Sequence, residues 1–456
     1  MDEVRVIEFA QYDVTNIHPL ALAFMAVMIV LAFLPSRSAP TFALLSVCVF
    51  MHMDQRLVVG GFDFSMLRFI TLVVLLRVVI RGEYRGFNFG KLDKLFLAWV
   101  LAAGFIYLIR VGSRGFVESL GYTLDALGSY FAMRFLVRTP QQVLTIWKQL
   151  AWIVLILSPF MLYEWVTRQN PFGILTYNGF EIAVVRNGKV RAAGPLSHPI
   201  LTGTFGAVLI PVFFGIYRGV KKGRLLMGAA IVASTIVTFS CGSSGPLMVW
   251  GVGFIGWSMW RVRGHMPSIL WGLFAMGVVI HVIRDKPIWH LLLRLSAITG
   301  GTGEHRYRLI DAFVNRFGEW ALLGTDGTAH WGWGLQDTTN QYVVEGVNGG
   351  LLTLILFILI LRTGFVQLKG ARVVFERFEG PKSLWAQLAW GCSVSLMVHC
   401  VSFVSVSYFG QILQFFFFFV ATVPAMSRYK RRKPAEAKPR PSLVAAPAPR
   451  PQVATG

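Results

Sequence analysis

Apolar positions along this chain fall in long unbroken runs. They show neither the alternation of a half-buried strand nor the one-sided stripe of a soluble helix. The runs cover roughly 19–34, 41–51, 64–80, 95–109, 121–136, 143–163, 200–217, 225–239, 246–260, 268–283, 347–361, 384–404 and 411–425. Stretches of about 18 residues with almost no charge read as membrane-spanning helices. The pattern predicts an all-α fold, a polytopic membrane bundle of about 12–13 transmembrane helices. The second run is short enough to be a half-span or a re-entrant segment. One membrane domain over 1–426 is expected, followed at 427–456 by a basic, Pro/Ala-rich tail that lacks the apolar content to fold.

Charge then orients the bundle. Arg428, Lys430, Arg431, Arg432 and Lys433 put the C-terminus on the cytoplasmic side. Counting back, alternate loops are basic: 362–382, Arg261 with Arg263, 218–224, and 81–94. Segments 164–199 and 284–346 then lie on the opposite face of the membrane. Residues 1–18 are polar without a basic leader region, so the first run is expected to act as its own insertion signal.

Composition agrees. The chain is 55% hydrophobic and 14% charged, against about 25% charged for soluble domains. Its net charge of +21 comes from 43 Lys+Arg against 22 Asp+Glu. The basic residues cluster between apolar runs, so they are read as setting orientation and meeting lipid headgroups, with no nucleic-acid partner. Cys48, Cys241, Cys392 and Cys400 form no CxxC pair, and neither a disulfide framework nor a zinc site is expected. No metal or cofactor is predicted.

Candidate chemistry lies in the two long segments. The first holds Arg191-Ala192-Ala193-Gly194 and Ser197-His198-Pro199 beside an apolar run. An arginine at the membrane boundary either holds a phosphate in a bidentate grip or snorkels to headgroups. His198, just before a proline at a helix start, reads more as a cap or packing residue than as a base. The second segment has Leu309, Ile310, Phe313, Val314, Phe317 and Trp320 at helical spacing. This predicts an amphipathic helix on the outer membrane surface, with Arg306, Arg308 and Arg316 on or beside it. The glycine run preceding it, 300–303, lacks the Lys-Ser/Thr of a nucleotide-binding loop. Next come His330, Asp337, Thr339, Asn340, Gln341 and Glu345 among aromatic residues, equipment suited to a sugar. Asp337 or Glu345 is a candidate to accept a proton from an attacking hydroxyl.

Asp125 and Arg134 share one predicted span. Nine positions apart, they cannot pair with each other, so each is expected to pair with a neighbouring helix. Ser243-Ser244-Gly245 reads as a tight connection between two helices.

Taken in order, Arg191-Ala192-Ala193-Gly194, Ser197-His198-Pro199, Ser243-Ser244-Gly245, an Arg-bearing helix, Asp337-Thr338-Thr339-Asn340-Gln341-Tyr342, Glu345-Gly346 and Gly349-Gly350-Leu351-Leu352 resemble the O-antigen ligase and polymerase superfamily over roughly 64–425. The resemblance implies a membrane glycosyltransferase of O-antigen, lipopolysaccharide or exopolysaccharide biosynthesis. Such an enzyme sits in the bacterial inner membrane, takes a glycan from an undecaprenyl diphosphate carrier on the periplasmic side, where the resemblance implies segments 164–199 and 284–346 lie, and passes it to an acceptor, without nucleotide sugar or metal. It implies that Arg191 and either Arg306 or Arg308 hold the diphosphate, with His198 and Gln341 as further substrate-binding candidates. Asp337, Glu345, Thr339, Asn340 and His330 are the catalytic candidates. The ligase pattern of a histidine and its amide neighbour, nine residues, Gly, two residues and Thr fits Asn340, Gly350 and Thr353, but Thr339 stands where the histidine belongs. Threonine has no usable basicity near neutral pH, which favours a polymerase over a ligase onto lipid A core. Expected partners are a polyprenyl-diphosphate-linked glycan donor, a glycan acceptor, membrane lipid and polysaccharide assembly proteins. A transporter or flippase of a lipid-linked or anionic glycan, and a non-catalytic scaffold, remain open from the residues alone.

Overall fold

The computed structural model describes residues 14–427 apart from 61, 178, 180, 285 and 295–302. The predicted tail after Ser427 and most of the glycine run 300–303 lie outside the described residues. The chain is mostly helical, and every apolar run is a helix. In chain order these are α1 (Pro19–Phe33), α2 (Ser38–Phe50), α3 (Met66–Ile80), α4 (Lys91–Val111), α5 (Phe116–Thr123) continuing through a π-turn into α6 (Ser129–Leu136), α7 (Pro140–Thr167), α8 (Pro199–Gly219), α9 (Arg224–Ser240), α10 (Ser244–Ser258) and α11 (Met266–Ile283). After these come α12 (Gly303–Asn315), the single turn α13 (Phe317–Trp320), α14 (Gln341–Glu379), α15 (Leu384–Ser402) and α16 (Gly410–Met426). Among the described residues, six helical segments are long and apolar enough to cross a membrane: Lys91–Leu136, Pro140–Thr167, Pro199–Gly219, Ser244–Ile283, Gln341–Glu379 and Leu384–Ser402. Two of these each contain two predicted runs, joined by short 3-10 turns at Gly112–Gly115 and Met259–His265.

Local chemistry sets several boundaries. Thr139 and Gln142 form a reciprocal cap on α7, while Ser65, Asn340 and Ser383 cap α3, α14 and α15. α8 is the central helix, buried almost throughout. Its glycines let neighbours approach: a Cβ on Gly206 would sit 2.7 Å from the Ser234 carbonyl oxygen, and one on Gly215 would sit 2.6 Å from that of Gln387. α16 contributes the buried run Phe415 to Phe419.

The charges within the apolar helices are paired across elements, as expected. Arg68 donates to Asp125 through Nε at 2.8 Å and Nη2 at 2.7 Å. Arg134 Nε donates to Asp93 at 2.8 Å, and the Tyr130 hydroxyl adds a further bond to that carboxylate at 2.8 Å.

α2 is 13 residues long and, like α1, α9 and α16, is an apolar helix shorter than the six segments of spanning length. Two expectations need correction. The segments 164–199 and 284–346 are shorter than predicted, because α7 continues to Thr167 and α14 starts at Gln341. Part of the apolar face of α12 is covered by the chain itself. Leu309 and Phe313 pack in a small second core with Trp320, Trp331, Leu335, Val343 and Val347, although Val314 and Phe317 stay exposed.

One end of the bundle gathers the candidate chemistry. There the C-terminus of α9 meets Ala192 (Ala192 N–H to the Ser240 carbonyl, 3.0 Å), and the loop after α15 meets the start of α14 (Gln341 N–H to Phe403, 2.9 Å). The predicted basic loops meet one another at the opposite ends of these helices, where Arg263 pairs with Glu376 at 2.6 Å.

Candidate functional site

The strands β1 (Arg56–Val59) and β2 (Phe62–Ser65) pair antiparallel between α2 and α3, and between α7 and α8 the chain makes a second hairpin of β3 (Val184–Arg186) and β4 (Lys189–Arg191), closed by Asn187 and Gly188, both with positive φ. Arg191 ends β4 and is buried. The backbone just past Arg191 is fixed from behind by Glu164 on the last turn of α7. The two oxygens of Glu164 accept the backbone N–H groups of Ala193 at 2.9 Å and Gly194 at 2.8 Å. Gly194 has φ +62, and a Cβ there would sit 2.4 Å from the Met161 sulfur.

Arg306, on α12, approaches the same end from another element. Its Nε donates to the Ser405 carbonyl at 3.2 Å. The turn from α9 to α10 lies beside both arginines. A Cβ on Gly242 would sit 3.3 Å from Arg191 Cγ, and one on Gly245 would sit 4.0 Å from Arg306 Nη2. Ser243-Ser244-Gly245 is therefore the tight connection expected from sequence.

The electrostatics are one-sided. Burial, and then the nearby Arg186 cation, hold the Arg191 guanidinium below its ordinary pKa. The same two causes in the same order act on Arg306. Among the described residues no Asp or Glu acts on either. Two partly desolvated cations on which no described carboxylate acts are chemically suited to an anion, since guanidinium groups stay protonated and fork onto phosphate or carboxylate. His198 Nδ1 accepts the Ile200 N–H at 3.2 Å and caps α8. Its pKa is pushed down to about 4 by burial and then by Arg191, so it is a neutral cap.

The other predicted residues separate. Arg308 points away from Arg306, towards Gly332, where a Cβ would meet its Nη2 at 3.6 Å. Asn340 is buried: its side-chain oxygen accepts the N–H groups of Tyr342 and Val343, and its amide donates to the Val404 carbonyl. Gln341 donates to Glu345 at 2.8 Å and accepts the Tyr408 N–H at 2.7 Å. Glu345 is buried, with its second oxygen accepting the Trp99 indole N–H at 2.8 Å. His330 pairs with Glu319, which also accepts the Trp331 indole. The Thr339 hydroxyl oxygen is buried without a hydrogen-bond partner among the described residues. Asp337 is exposed, and among the described residues only its backbone carbonyl is engaged, accepting the Thr339 N–H at 3.0 Å and lying 2.9 Å from His305 Nε2. The catalytic candidates thus do not form one cluster, and Asp337 is the one with a free carboxylate.

The motif around Gly350 has a structural reading. α14 breaks at Gly349 and Gly350, where Gly350 takes φ +69. Thr353 Oγ1 then donates to the Glu345 carbonyl at 2.6 Å, and Leu351 N–H donates to Ala321. Asn340, Gly350 and Thr353 are the start, the break and the repair of one discontinuous helix.

No family model matches the chain, and no curated protein matches it. Function therefore rests on the site itself. Sequence reading did not single out Arg186, Lys189, Glu164 as a ligand of backbone N–H groups, or the Ser405 carbonyl. Of these, only the cations on a tight hairpin carried a sequence signal. Beside the hairpin is a cavity of about 680 Å³, walled by Trp165, Phe239, Met248, Lys189, Ser243 and Ser244. Among the described residues no group of three or more His, Cys, Asp or Glu could hold a metal ion.

Proposed function

We propose that this chain is a polytopic membrane glycosyltransferase. It polymerises or ligates a polysaccharide from a polyprenyl-diphosphate-linked donor at the periplasmic face of a bacterial inner membrane. One observation carries the reading: Arg191 and Arg306, from a hairpin and a helix far apart in sequence, converge without a carboxylate beside the α9–α10 turn, at the ends of apolar helices. A lipid-linked diphosphate presents its charge at that depth, with its chain in the apolar layer.

In this reaction an acceptor hydroxyl attacks the anomeric carbon, the glycosyl–oxygen bond breaks, and the lipid diphosphate leaves with the bond's electrons. Arg191 and Arg306 neutralise the charge that develops on that diphosphate. Asp337 takes the hydroxyl proton. Glu345 and His330 are already engaged by Trp99 with Gln341 and by Glu319, so they serve the frame of the site. Polymerase activity is favoured over ligation, because a threonine fills the position of the ligase histidine. Transport would call for unpaired ionisable groups along a path, whereas Asp125 and Arg134 are held by Arg68 and Asp93.

The test is mass spectrometry of lipid-linked glycans in a deletion strain complemented with wild type or Arg191→Ala. Accumulated single repeat units on the carrier, cured by wild type only, support a polymerase. Long carrier-linked chains that reach no acceptor support a ligase. Unchanged glycan pools would remove the glycosyltransferase reading.

A further inference from the structure

The β3–β4 register pairs Val184 with Arg191 and Arg186 with Lys189. Directly paired residues share a face, and successive residues alternate. Arg186, Lys189 and Arg191 therefore stand on one face of the hairpin. Arg191 is buried at its base, while Arg186 and Lys189 are exposed towards the tip. None of the three is in an ion pair with a described residue. A diphosphate held by Arg191 and Arg306 leaves the two outer cations unused.

Lys189 also walls the 680 Å³ cavity, a volume within the usual range for small-molecule sites of about 300–1,000 Å³. Its other walls combine two half-exposed rings, Trp165 and Phe239, with the hydroxyls of Ser243 and Ser244. Rings that cover the apolar face of a pyranose, hydroxyls for its polar edge and a cation are the equipment for a charged sugar. The cavity adjoins Arg191, because Gly242 lines it and lies against that side chain.

We infer that this cavity is a glycan subsite selective for an acidic sugar, whose carboxylate pairs with Lys189 while its ring lies on Trp165 and Phe239. The inference rests on the proposed diphosphate clamp only for which part of the donor enters the cavity. Arg186, opposite Lys189 at the hairpin tip, offers a second cation to the next acidic residue of the chain.

The experiment titrates the purified full chain in detergent with a galacturonic acid trimer and with the matching galactose trimer, by calorimetry at low salt. The acidic trimer should bind at least about tenfold more tightly, the scale of one charge-assisted hydrogen bond. That preference should collapse in Lys189→Ala and return in Lys189→Arg. Trp165→Ala should weaken both trimers. Equal binding of the two trimers by wild type, or an unchanged preference in Lys189→Ala, overturns the inference. So does bound phosphatidylglycerol that excludes both trimers, which would make the cavity a lipid site. A separate titration with geranylgeranyl diphosphate, comparing wild type with Arg191→Ala, reads the clamp alone. If Arg191→Ala leaves that binding intact, the clamp fails whatever the trimers show.

Discussion

Glu164 and Gly194, 30 positions apart, are joined by a 2.8 Å hydrogen bond from the Gly194 N–H, beside a second from Ala193 at 2.9 Å. This carboxylate sets where the strand carrying Arg191 ends. Glu164→Ala leaves two buried N–H groups unpaired, at about 1–3 kcal/mol each. The variant should melt earlier in detergent and bind geranylgeranyl diphosphate more weakly. Glu164→Gln keeps one acceptor oxygen and should fall between the two. Wild-type melting of the alanine variant would show that Glu164 does not hold the strand.

The two candidate carboxylates differ in environment, and their variants should separate. Asp337→Asn removes the one free carboxylate among the candidates, and should lower turnover by about 10²–10³ with little change in melting. Glu345→Leu removes the acceptor for both the Trp99 indole and the Gln341 amide, so it should lower the melting temperature. In glycan polymerisation assays, an Asp337→Asn enzyme with normal turnover would exclude that residue as the base.

How far the sequence reaches depends on the distance over which each choice is settled. Apolar runs declare their helices because length and lack of charge are local properties, and caps such as Thr139 with Gln142 are local too. The division between Arg306 and Arg308 is a matter of helix face. Two residues apart on α12, they point about 200° from one another, and only the packing of Leu309 against Trp320 and Val343 decides which faces the α9–α10 turn. Arg68 with Asp125, 57 positions apart, and Trp99 with Glu345, 246 apart, depend on which helices become neighbours. Periodicity marked α12 as amphipathic, but not that Val343 and Val347 of α14 return to cover the part of its apolar side that carries Leu309 and Phe313.

His198 supplies a pH signature. Its pKa falls from the ordinary 6.5 to about 4 on folding, through burial and then Arg191. The unfolded chain binds this proton more readily, so the contribution to stability is complete above about pH 6.5 and declines as pH falls towards 4. His198→Asn retains a side-chain cap for α8 while removing the titration. Melting temperatures between pH 7 and pH 4.5 should fall less steeply in that variant than in wild type. Parallel curves would assign the acid sensitivity to other groups.

Gly350 tests the broken helix. At φ +69, a side chain is strained, and a Cβ would sit 2.5 Å from the Leu322 carbonyl oxygen and 2.8 Å from that of Ala321. Both oxygens belong to backbone, so neither can swing aside. Gly350→Ala should therefore cost more than the about 1–2 kcal/mol of a left-handed residue alone. Thr353→Val loses only the hydroxyl that satisfies the Glu345 carbonyl, and should cost about 1 kcal/mol. Because the break sets the first turns of α14 against the loop that also receives Arg306, Gly350→Ala should weaken geranylgeranyl diphosphate binding in whatever fraction still folds. Thermal unfolding and that titration, run on both variants, check the order. A Gly350→Ala protein as stable as wild type would mean that α14 tolerates running straight, and that the break does not hold the Arg306 side of the site in place.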